Sequence, residues 1–129
     1  MLDPIVRTIK LNRVLIDGGS GLNILFAKTL DDMKIPRSEL NRSSSPFDRV
    51  IPGTLAIPLG QITMPVTLGT RENFRTDNIS FEVANFKTTY HAIFGRPAFA
   101  KFMAVPLYTY MVLKLPGPNS IITLRGDVR

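Results

Sequence analysis

The chain has 129 residues, 44% hydrophobic and 20% charged, with a formal net charge of +6, which is one domain's worth of sequence with enough apolar material for a core and excludes a disordered chain. It holds no cysteine and a single histidine, His91, so disulfides, thiolate zinc sites and multi-histidine metal sites are excluded, and neither metal nor cofactor is expected. No apolar run approaches the roughly 20 residues that span a bilayer and no signal-peptide pattern opens the sequence, so no membrane association is expected.

Residues 5–10 and 11–17 have the composition of short strands and are expected to pair. Ser20 stands where a helix N-cap belongs. Leu22, Leu25, Phe26, Leu30 and Met33 follow at helical spacing, predicting a helix that stops near Ile35-Pro36. Residues 37–46 are polar, contain Ser43-Ser44-Ser45 and read as an exposed loop. Residues 55–57, 61–68 and 79–83 then have strand composition, punctuated by Pro52-Gly53, Gly60 and Gly69. Residues 91–94 make another apolar strand ending at Gly95, and Pro97 suits the first turn of a helix through Phe99, Phe102 and Met103. Residues 110–115 and 121–124, separated by Pro116-Gly117-Pro118-Asn119, predict a closing hairpin. The sum is a mostly β fold with two short helices. Its halves echo each other: Leu15-Ile16-Asp17-Gly18 and Ala92-Ile93-Phe94-Gly95 each lead from an apolar strand through a glycine turn toward a helix.

The basic balance does not by itself indicate nucleic acid. The sixteen Lys and Arg residues run from Arg7 to Arg129 with no two adjacent. The aromatics sit mostly inside apolar runs, whereas RNA-binding modules pair a basic patch with exposed aromatics. A solvated, scattered surface is the expected reading.

Chemistry concentrates in Val14-Leu15-Ile16-Asp17-Gly18-Gly19-Ser20-Gly21. A carboxylate placed beside apolar packing loses hydration, so Asp17 serves either chemistry or a tight local network. A dinucleotide fingerprint starting at Gly19 would need glycine where Ile24 stands, and a phosphate loop would need a Gly-Lys-Ser or Gly-Lys-Thr that the chain lacks. A nucleophile elbow through Ser20 has Leu22 in its last glycine position. Aspartic-protease chemistry fits the pattern better, because it places a carboxylate at a strand end on a glycine turn. It also needs two carboxylates that share a proton. Asp31, Asp32, Asp48, Asp77 and Asp127 all lie in polar settings, so a second copy of the chain would have to supply the partner Asp17 about a two-fold axis.

At these residues the sequence resembles the retropepsin-like aspartic protease domains of plant gypsy-class long-terminal-repeat retrotransposon polyproteins. The resemblance spans nearly the whole chain as one domain, 1–129, with an amino-terminal strand that is short for the family. It is carried by residues 14–20, by Pro58-Leu59-Gly60-Gln61-Ile62, by Tyr90-His91-Ala92-Ile93-Phe94-Gly95-Arg96-Pro97, and by the segments 100–106 and 115–119. It implies a small closed β-barrel of the acid-protease type. It implies that Asp17 is catalytic, with Gly18, Gly19 and Ser20 shaping the loop. Asp48, Arg49, Val50, Ile51, Pro52 and Gly53 would belong to a flap that closes over substrate. Ile93, Phe94 and Gly95 would support the catalytic loop from beneath. It further implies a homodimer that cuts a peptide or polyprotein substrate inside the cell, in the cytoplasm or in retroelement particles.

One position departs from the pattern. Gly18 stands where the family carries Thr or Ser, whose hydroxyl locks the two catalytic loops together across the dimer. Two readings therefore follow from the sequence: an aspartic endopeptidase, or a catalytically weak or inactive domain retained for dimerisation or peptide binding. Among the other residues, Ser20 reads as a helix cap rather than a nucleophile, His91 as a satisfied histidine, and Arg96 as one half of a surface ion pair. Met33, Met64, Met103 and Met111 read as core filler, and Phe94, Phe99 and Phe102 as core or dimer contacts.

Overall fold

The computed structural model describes residues 4–42, 58–107 and 112–125. Ten strands and two short α-helices follow in chain order: β1 (Ile5–Val6), β2 (Ile9–Lys10), β3 (Val14–Ile16), β4 (Ile24–Phe26), α1 (Ala27–Asp32), β5 (Gly60–Thr70), β6 (Asn73–Ala84), β7 (Ala92–Phe94), α2 (Arg96–Phe102), β8 (Val105–Leu107), β9 (Val112–Pro116) and β10 (Ile121–Arg125). A single 3-10 turn, Arg37–Glu39, interrupts the polar segment after α1. Seven strands in the order β2-β1-β5-β6-β4-β7-β3 form a sheet that curls into a half-barrel, and β10-β9-β8 form a second sheet.

Register explains the two faces of the curled sheet, because directly paired residues point to the same side. Val14, Ala92, Leu25 and Val83 fall in one cross-strand row and belong to the main core. Leu15, Ile93, Ile24, Glu82 and Gln61 form the next row on the opposite face. There Ile24, Phe26 and Ala84 make a smaller apolar cluster with Leu22, Tyr90 and Ile93 packed on it. The main core is centred on Phe81, Phe94 and Phe102, all fully buried, with the Phe81 and Phe94 rings 6.0 Å apart. Burying each such side chain favours folding by about 1.5–3 kcal/mol. Leu113, Leu115 and Ile122 of the second sheet close this core. Arg75 fastens the second sheet and α2 to β6: its guanidinium donates to the carbonyls of Phe102 (2.6 Å) and Pro116 (3.3 Å) and pairs with Asp77 at 2.7 Å.

The structure revises several local expectations. The first two segments do not pair with each other. β1 instead makes a hairpin with β2, while β3 pairs in parallel with β7. The helix expected from residue 22 begins only at Ala27, because Ile24, Leu25 and Phe26 are all buried between β6 and β7. A helix would leave one flank of those three residues in water, whereas a strand with neighbours on both sides buries them all. Ser20 accordingly caps no helix: the residue before α1 is Phe26, without a side-chain cap. The central hairpin of β5 and β6 is longer than its apolar runs suggest, extending through Thr67 and Thr76, whose hydroxyls bond each other at 2.7 Å. Strand β8 was not foreseen, in keeping with the proline at its centre, Pro106, which is tolerated on an edge strand. Met103 is 64% exposed and is not core filler, in contrast to Met33 and Met64. Residues 55–57, Met111 and the start of the predicted segment 110–115 lie outside the described residues.

Candidate active site

Strands β3 and β7 run side by side and end together. The ladder continues one residue past β3, where the Asp17 N–H donates to the Phe94 carbonyl at 2.9 Å. The chain then reverses, with the Ser20 N–H donating back to the Asp17 carbonyl at 3.1 Å. Within this turn the Gly19 N–H donates to Asp17 Oδ1 at 2.9 Å. Asp17 is half-buried, and among the described residues Gly19 is the donor that fixes its carboxylate. That bond holds one oxygen, and among the described residues Oδ2 has no hydrogen-bond partner.

Ser20 is buried and spends its hydroxyl inside the loop. Its Oγ donates to the Leu22 carbonyl at 2.7 Å and accepts from the Leu22 N–H at 3.3 Å. Beneath the loop lies Gly95. A Cβ at that position would strike the carbonyl oxygens of Ser20 and Leu22, so only glycine allows this close approach. Phe94 points into the main core and Ile93 to the opposite face. Of the residues singled out in the sequence, Asp17, Gly18, Gly19, Ser20, Phe94 and Gly95 therefore meet at the ends of two parallel strands. Asp48, Arg49, Val50, Ile51, Pro52 and Gly53 lie outside the described residues.

Two residues that hold the loop were not recognised for that role in the sequence. Asn23 is buried, and its Oδ1 accepts from the Gly95 and Ala98 N–H groups at 2.9 and 3.2 Å. Its Nδ2 donates to the Ser80 carbonyl at 3.2 Å, so one amide ties the loop to the start of α2 and to β6. The available signal was an amide flanked by Leu22 and Ile24, where a polar side chain must find partners once buried. Arg96, expected in a surface ion pair, has none among the described residues; it donates through its backbone N–H to the Ser20 carbonyl (2.9 Å) and through Nη1 to the Gly18 carbonyl (3.1 Å).

The other described carboxylates are largely committed elsewhere. Glu39 pairs with Arg7, Asp31 with Arg37, Asp32 with Lys28 and Asp77 with Arg75. The Lys28 hydrogen bond holds the Asp32 carboxyl below its ordinary range. Glu82, buried in β6, accepts from Gln61 Nε2 at 2.5 Å. Among the described residues no three His, Asp or Glu side chains converge as a metal site would require. Among the described residues one copy of the chain thus presents one carboxylate at this turn, Asp17.

Two concavities flank these elements. One, of about 340 Å³, adjoins the loop and is lined by Gly21, Leu22, Gln61, Ser80, Glu82 and Pro97. The other, of about 400 Å³, lies beyond the opposite end of β3 and is lined by Arg13, Phe26, Lys28, Phe86, Tyr90 and His91. His91 is not the satisfied histidine that the sequence suggests: its Nδ1 is buried without a hydrogen-bond partner among the described residues.

The chain matches no protein-family model and no curated protein sequence. Its structure is similar to the retroviral protease-like domain of Ddi1 from Leishmania major, with a TM-score of 0.65 at 12% identity, over 98% of this chain and 92% of that one. It is also similar to a retropepsin-like aspartic protease from Rickettsia conorii, with a TM-score of 0.60 at 13% identity, over 95% of this chain and 79% of that one. At such identities the likeness is one of fold, and the fold is that of retropepsin-like aspartic protease domains.

Proposed function

We propose that two copies of this chain build one aspartic endopeptidase site, with Asp17 of each copy facing the other across a two-fold axis. The observation that carries this reading is the placement of Asp17: a half-buried carboxylate at the end of a parallel strand pair, fixed by the Gly19 N–H, without a second carboxylate beside it among the described residues. The retropepsin-like fold of the two solved neighbours supports it.

In that site the two carboxyl groups share one proton, because like charges so close cannot both ionise. The ionised Asp17 takes a proton from water as the hydroxide adds to the scissile carbonyl carbon. The protonated Asp17 gives its proton to the carbonyl oxygen. As the C–N bond breaks, the carboxyl proton taken from water passes to the leaving amine, while a hydroxyl of the tetrahedral intermediate returns its proton to the ionised carboxylate and the C=O bond re-forms. The products are one acid and one amine with the carboxyl pair restored. The substrate is a peptide or polyprotein held in extended form, as main-chain pairing to a sheet edge favours. The resemblance to retrotransposon polyproteins makes the element's own polyprotein the natural substrate, processed in the cytoplasm or in retroelement particles.

Gly18 favours a second reading, in which the domain dimerises or holds peptide with little turnover. A loop with glycine at positions 18, 19 and 21 has more backbone freedom than one that carries Thr or Ser at position 18, and preorganisation is what turnover depends on. Peptide cleavage measured from pH 3 to 8 separates the two readings. The protease reading expects a bell-shaped profile on the acid side and loss of cleavage in Asp17→Asn. Equal cleavage by Asp17→Asn and the parent, or none by a parent shown to be dimeric, contradicts it.

A further inference from the structure

Arg96 opens α2, and its side chain turns back over the Asp17 loop. Its Nη1 donates to the Gly18 carbonyl at 3.1 Å, a charge-assisted bond to the Gly18–Gly19 peptide, whose N–H holds Asp17 Oδ1. To get there the guanidinium passes beside Gly21. A Cβ built on Gly21 would stand 3.0 Å from Arg96 Nη2, tighter than ordinary van der Waals contact. Gly21 does not have a positive φ, so backbone conformation is not what requires glycine there. The Arg96 guanidinium instead occupies the space that a side chain at position 21 would enter. Gly18 and Gly19 offer no side chains to stiffen the turn, and the Gly19 bond to Asp17 Oδ1 is local to it. Among the described residues, the Arg96 side chain is the tie that reaches Gly18 from outside the loop.

We propose that Arg96 is a positioning residue for Asp17, holding the Gly18 carbonyl through the gap that Gly21 leaves. It touches no reacting atom. The inference rests on the reading that Asp17 performs the chemistry, but the clamp itself can be measured without turnover.

The test compares the parent with Arg96→Gln, Arg96→Lys, Gly21→Ala and the double variant R96Q/G21A. The backbone bond from residue 96 to the Ser20 carbonyl survives in all of them, so the changes isolate the side chain. Two quantities are read on the folded protein: kcat and KM on a peptide substrate, and amide hydrogen exchange at Gly19 and Ser20. Arg96→Gln should lower kcat about tenfold with KM little changed, a loss confined to the transition state. It should also speed exchange at both amides. Arg96→Lys should recover part of each loss, since a point charge can reach the carbonyl without the planar fork. Gly21→Ala should shift both readouts the same way by a smaller factor, and the double variant should match Arg96→Gln alone, because both changes break one contact. Unchanged kcat and exchange in Arg96→Gln would overturn the proposal, as would a lowered urea midpoint with kcat intact. Losses that multiply in the double variant would overturn it too. If Arg96→Gln does not fold, Gly21→Ala decides through exchange at Gly19: faster supports the clamp and unchanged refutes it. If the parent cleaves nothing, the protease reading fails while exchange still decides the clamp.

Discussion

The turns after β3 and β7 sit side by side at the ends of two parallel strands, yet they are built in opposite ways. The Gly95 turn is buried and fixed by volume: carbonyl oxygens of Ser20 and Leu22 fill the place of any side chain, and Asn23 satisfies its N–H. The Asp17 turn is half-exposed and fixed by direction, through hydrogen bonds from Gly19, Ser20 and Arg96. One turn is a rigid floor, and the other is a carboxylate held at a set angle above it. That division matches what chemistry at a strand end needs, a stiff support beneath a group that must exchange protons with water.

Substitutions can break or sharpen this contrast. The largest effect belongs to Gly95→Ala, which drives a methyl group into two backbone oxygens and should cost about 3 kcal/mol or more, read as a lower urea midpoint. Asn23→Ala comes next. It leaves the Gly95 and Ala98 N–H groups without their acceptor and should cost about 2 kcal/mol in the same assay. The smallest is Gly19→Ala. Its backbone has no positive φ, and among the described residues the new Cβ would meet only a side-chain oxygen of Asp17, 3.2 Å away, so the stability change should stay below about 1 kcal/mol. A Gly19→Ala variant as unstable as Gly95→Ala would erase the distinction between the turns.

The sequence carried much of this and missed the rest for physical reasons. Asp17 on its glycine turn was legible because a carboxylate after three branched apolar residues has few structural explanations. Strand β7, helix α2 and the closing hairpin were legible from apolar runs bounded by Gly95, Pro97 and the Pro116-to-Asn119 turn. Residues 24–26 misled because their spacing also fits a helix, and only their two neighbouring strands, distant in sequence, decide the matter. The echo between the halves survives in part: the two apolar strands do lie parallel, but β4 intervenes before the first helix and nothing intervenes before the second. Asn23 and Arg96 escaped because their partners, Gly95, Ala98 and Gly18, become neighbours only after the strands align.

The central claim is that the site takes one Asp17 from each of two chains. Mixing the parent with a growing excess of Asp17→Asn chains tests it most directly, with peptide cleavage followed after subunit exchange. Chains that share a site should form mixed dimers holding a single Asp17, so cleavage per parent chain should fall toward zero as the excess grows. Cleavage that stays proportional to the parent chain, whatever the excess, would contradict the account.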